Sequence, residues 1–154
     1  LIVLDGCEGS LTQYIQMHGP LNYHQAVLLV LNLGSQIAAL AKVGKGLISL
    51  RQDDVIVCDG FIIGNLSGTV ALEGMKLEIV RAVDLHSGAA PEMHELDTLP
   101  SLVNMSAIYY SIAVLCLECM DISRDMQEIK GSKLYYLLKR CMRPDPQTRE
   151  FLYI

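Results

Sequence analysis

"LISLRQDDVIVCDGFII", residues 47 to 63, carries the clearest local signal in the chain. Two β-prone triplets, Val55-Ile56-Val57 and Phe61-Ile62-Ile63, flank Cys58-Asp59-Gly60. Asp-Gly readily supplies the positive φ angles of a tight turn, so the stretch reads as a β-hairpin. Upstream, Asn22 is a good helix N-cap with Gln25 in the reciprocal position. A long helix runs from there to about Val43, where Gly44 and Gly46 end it. Its polar residues Gln25, Asn32 and Gln36 form one narrow stripe. The rest is apolar, which predicts a helix nearly surrounded by protein. Before it, Leu1 to Leu4 reads as a strand, and Ser10 can cap a short helix from Leu11 to about Met17 that Gly19-Pro20 stops.

Downstream of the hairpin, residues 64 to 92 show no clear period, with room for a strand within Lys76 to Leu85. Asn104 or Ser106 can cap a helix through about Met120. Its body, Ala107 to Leu117, carries no charge and should be the most buried element. Leu134, Leu138 and Cys141 share one face of a helix from Leu134 to Met142, which Pro144 and Pro146 break. Gln147 to Tyr153 can begin a last helix. This order predicts a mainly α domain with a small β-hairpin, a single unit over residues 1–154.

Just over half of the 154 residues are apolar and 19% are charged, a composition that builds a core and excludes disorder. The net charge of -5, with no Lys/Arg block, argues against nucleic acid. A basic peptide is a better electrostatic match. The apolar stretches Ala26–Leu40 and Ala107–Leu117 are interrupted or too short to span a bilayer, and no membrane partner is expected. The start, Leu1-Ile2-Val3-Leu4-Asp5, has no Met and no basic segment, so it reads as a chain entered mid-domain. The five cysteines (7, 58, 116, 119 and 141) are odd in number and mostly lie in apolar runs. That predicts reduced, buried thiols in a cytoplasmic or nuclear protein. Cys116-x-x-Cys119 lacks a second pair or nearby His for zinc and a βαβ setting for redox work. His18, His24, His86 and His94 are scattered, with no ligand spacing.

Taken in order, several short segments resemble a protein kinase from its hinge to its last helices. "LIVLDGCEGSLTQY" (1–14) is similar to the hinge entering the first C-lobe helix, and 22–43 to the long helix before the catalytic loop. "LISLRQDDVIV" (47–57) lies over the pattern H-R-D-L-K-x-x-N and the strand after it. "NLS" (65–67) lies over D-F-G, "APE" (90–92) matches that family's motif in full, "YSIAV" (110–114) resembles the start of the central helix, and "RPDPQTR" (143–149) the cationic closing segment. The resemblance implies a kinase-like C-lobe without its N-lobe, with Glu92 and Arg149 as a structural ion pair.

The departures from the pattern imply an inactive member, a pseudokinase. Ser49 stands at the position of the catalytic base, where phosphotransfer needs a carboxylate and a hydroxyl is far too weak. Leu47 and Ile48 replace the neighbouring His and Arg. Arg51 keeps the charge of the loop lysine. Asp54 holds the metal-binding Asn position and Asn65 the metal-binding Asp position, which leaves Asp54 as the single carboxylate available to a metal. Ile108 stands where the central helix carries an Asp that anchors the catalytic loop. The short segment between the central helix and Arg143 is similar to KIND domains, non-catalytic C-lobe modules that bind peptides, including basic tails. Glu118, Asp121, Asp125 and Glu128 can line such a groove, although a solvated surface is the plainer reading of those charges. The expected function is a protein-interaction or scaffold module, not an enzyme and without a cofactor, whose partner is another protein or a basic peptide. The alternative is a nucleotide-binding kinase-like protein with weak residual phosphotransferase activity.

Overall fold

A computed structural model describes residues 7–154; the strand expected at Leu1–Leu4 lies outside them. The described residues are 43% helical and 17% strand, with five α-helices and seven strands in two antiparallel sheets. The fold is therefore mixed α/β, which corrects the expectation of a mainly α domain with one small hairpin.

The hairpin is there: β3 (Val55–Cys58) and β4 (Phe61–Ile63), joined through Asp59 and Gly60 at φ 49° and 135°. A third strand, β1 (Cys7–Ser10), pairs with β3 on its other side. Ser10 ends β1 and also caps α1 (Leu11–His18), with Gln13 completing a capping box. The long helix is α2 (Tyr23–Lys42), capped reciprocally by Asn22 and Gln25. Its polar stripe has a specific job. Asn32 Oδ1 accepts from Phe61 N–H at 2.9 Å, and the Gln36 amide donates to Phe61 O and accepts from Ile63 N–H, both at 2.8 Å. Two side-chain amides thus satisfy the outer edge of β4, groups that could not be buried unpaired. A Cβ at Gly34 of α2 would run into the Phe151 ring, so the glycine lets the C-terminal segment lie against the helix.

The second sheet holds β2 (Lys45–Gly46), β5 (Val70–Glu73), β6 (Lys76–Ile79) and β7 (Ser101–Asn104), in that order. Gly74, at φ 62°, turns the chain between β5 and β6. Strands β5 and β6 lie within the region where the sequence shows no clear period, and the short helix α3 (Pro91–His94) lies at its end.

α4 (Ala107–Met120) runs through the middle. Every residue from Ala107 to Leu117 except Tyr109 is buried, because the helix serves two cores. Ile108, Ile112, Leu115, Cys116 and Cys119 join α2, the hairpin and α5 (Lys133–Cys141) in a large cluster. Ala107, Tyr110 and Val114 join Leu77, Ile79, Val103 and Met93 in a second one under the four-stranded sheet. A helix packed on both sides has no face for a charge. After α5 the chain forms one 3-10 turn at Pro146–Thr148. The last helix expected from Gln147 does not form.

The cysteines correct a further expectation. Cys7 and Cys58 face each other across β1 and β3 and are disulfide-bonded. Cys116, Cys119 and Cys141 are free and buried, and burial pushes the thiols of Cys119 and Cys141 up to about 12 and that of Cys116 higher still. The C-x-x-C pair is thereby core filling.

Candidate functional site

The loop from β2 to β3 runs through Leu47, Ile48 and Leu50, all buried, with Ser49 half-buried between them. The three apolar side chains pack into the two cores, and Ser49 lines an open cleft of about 460 Å³. The same cleft is lined by Arg51, Asp54 and Asn65, so the four positions singled out in the sequence come together. Ser67 and Asp84 complete its polar lining.

Asp54 organises one wall. Its Oδ2 accepts from Arg51 N–H at 2.9 Å and its Oδ1 from the Asn65 amide at 3.0 Å. Asn65 Oδ1 in turn accepts from Ser67 N–H at 3.1 Å and from Ser67 Oγ at 2.6 Å. Both Asp54 carboxylate oxygens are thus hydrogen-bonded to neutral donors of the protein itself. On the opposite side the Arg51 guanidinium donates to Asp84 O at 3.3 Å and lies 3.7 Å from its carboxylate. Both side chains are substantially exposed, so this pair adds little stability. His86, farther along, has its pKa lowered by burial and by the positive charge of Arg51. Its Nδ1 accepts from Gly88 N–H, while Nε2 is buried without a partner.

The loop is anchored by a residue that motif order did not single out. Ile108, at the expected anchoring position, is buried in the large core. Ser111, one turn on and fully buried, accepts from Leu50 N–H at 2.9 Å and donates to Leu50 O at 3.4 Å. Its sequence signal was a lone serine in the uncharged run Ala107–Leu117. Ser111→Ala is expected to cost about 1–3 kcal/mol in a denaturant titration, the cost of leaving two buried backbone groups unpaired. An unchanged midpoint would remove the anchor from this account.

Glu92 and Arg149 lie apart from the cleft lining. The guanidinium grips the carboxylate bidentately at 2.6 and 2.9 Å, and its Nε donates to Arg143 O at 2.7 Å. It is buried and lies over the Tyr110 ring, 5.2 Å from guanidinium carbon to centroid. Glu118, Asp121, Asp125 and Glu128 are exposed at and beyond the end of α4. Arg124, among them, donates to Tyr110 Oη at 3.1 Å and Ser87 O at 3.4 Å. That arginine puts a tethered cation into the acidic run.

No protein-family model matches the chain, and no curated protein is similar to it.

Proposed function

We propose that the chain is a catalytically inactive relative of the protein kinases, a pseudokinase-type module that works by binding another protein or a peptide. The observation that carries this reading is Ser49. In the cleft lined by Arg51, Asp54 and Asn65, the position that motif order assigns to the base holds a hydroxyl. A serine cannot accept the proton of a substrate hydroxyl near neutral pH. Two further features support it. Asp54 is occupied by protein donors, and Ile48 is buried among apolar side chains at the position of the motif's arginine. Binding surfaces can persist on a fold whose chemistry is lost, and the net charge of -5 favours a basic partner.

A thermal-shift titration with ATP and Mg²⁺ tests the reading. A ligand at a hundred times its Kd adds about 2.7 kcal/mol, which for a domain of this size is a rise in Tm of roughly 5–11 °C. The expected result is an unmoved Tm with nucleotide and a salt-sensitive rise with a Lys/Arg-rich peptide. A clear rise with ATP that Asp54→Ala abolishes would sink the pure binding module in favour of a nucleotide-binding protein.

A further inference from the structure

Of the five cysteines, three are sealed in the core with thiols that burial keeps protonated, and a protonated thiol does not exchange. Cys7 and Cys58 differ. Both are only half-buried, so a small thiol can reach them. Their bond closes a sequence separation of 51 residues. Apart from it, among the described residues β1 lies at the edge of its sheet, and its pairing with β3 is interrupted between Cys7 and Ser10, with Gly9 in a left-handed conformation.

What β1 holds in place reaches the cleft. Ser10 passes directly into α1. On α1, Thr12 Oγ1 donates to Asp53 Oδ1 at 2.6 Å. Asp53 precedes Asp54, whose carboxylate ties Arg51 N–H to the Asn65 amide, and Cys58 ends the strand that begins at Val55, next to Asp54. Bond, strand, helix and turn thus form one closed ring behind the Asp54 wall.

We infer that the Cys7–Cys58 disulfide is a redox clasp that controls how firmly the Asp54 wall of the cleft is held. The chemistry is ordinary thiol–disulfide exchange with a dithiol reductant. One reductant thiolate attacks the sulfur of one cysteine, the S–S bond breaks, and the other cysteine leaves as a thiolate that takes up a proton. The second reductant thiol then attacks the mixed disulfide. Both cysteines end as thiols, and the reductant leaves as its own disulfide. In a reducing compartment the clasp is open, and in an oxidising one it is shut.

Three measurements on the full chain test the inference. Alkylation of the air-oxidised protein in denaturant without reductant should tag three thiols; five would overturn the clasp. Reductant should lower the wild-type Tm on the order of 10 °C and leave Cys7→Ser/Cys58→Ser unmoved; an unmoved wild-type Tm would overturn it. Hydrogen exchange should quicken on reduction at residues 7–14 and 51–54. A change confined to residues 7–10 would remove the coupling to the cleft. Should the double variant fail to fold, the thiol count and the wild-type measurements still decide. None of the readouts involves a ligand, so the clasp stands or falls independently of the proposed function.

Discussion

Replacing Arg149 by alanine is expected to destabilise the domain by about 3–5 kcal/mol. The Arg149 side chain is fully buried, and its guanidinium makes two charge-assisted bonds to Glu92. Without it, the Glu92 carboxylate stays in a half-buried site with no counter-charge, and the carbonyls of Arg143 and Pro144 lose their donor. Small domains are stable by only about 5–15 kcal/mol, so the loss is a large share of the total. The effect comes from breaking the pair, and the pair itself contributes little net stability. Glu92→Met combined with Arg149→Met should therefore recover much of what Arg149→Ala loses. Equilibrium urea titrations of the three proteins measure this. A fall below 1 kcal/mol for Arg149→Ala would show that the ion pair does not hold α3 to the closing segment.

Ile48→Arg is expected to cost roughly 5 kcal/mol, from desolvating an unpaired ion and overpacking a filled site. Ile48 is 4% exposed and belongs to the cluster of Leu77, Ile79, Ala89, Ala90 and Met93. The Ile48 side chain is part of the apolar floor beneath the second sheet. The substitution thus bears on function as well as on stability. If the variant retained wild-type stability, the loop would be able to turn its side chain into the cleft, and position 48 would be open to a charge-dependent role. Chemical denaturation together with hydrogen exchange at residues 76–90 distinguishes these outcomes.

The parts of the fold that sequence made legible are those with a strong local cause. Asp59-Gly60 between β-branched triplets specifies a hairpin by itself. Asn22 with Gln25, and Ser10 with Gln13, write their own helix starts, and the uncharged run Ala107–Leu117 marks a helix enclosed on all sides. The second sheet had no comparable signature. Lys76-Leu77-Glu78-Ile79 alternates polar and apolar residues, but over four positions, and alternation that short cannot be told from chance. Its partner β7 lies more than twenty residues downstream, so the pairing is settled by tertiary packing. The same reason hides the disulfide, which depends on the register of β1 on β3. At the candidate site, motif order picked out Ser49, Arg51, Asp54 and Asn65. Asp84 and Ser111 were not picked out as site residues, since one comes from the aperiodic segment and the other lies within "YSIAV", a segment read only as the start of a helix.

Asn32 and Gln36 have a further consequence for how the protein behaves at high concentration. A sheet with an open margin can recruit another chain, strand upon strand, toward fibrils. By answering the Phe61 and Ile63 backbone groups from a helix, two carboxamides make β4 a dead end for such growth. Among the described residues, the β4 margin of the three-stranded sheet is closed in this way, and the polar stripe of α2 acts there as a stopper against polymerisation.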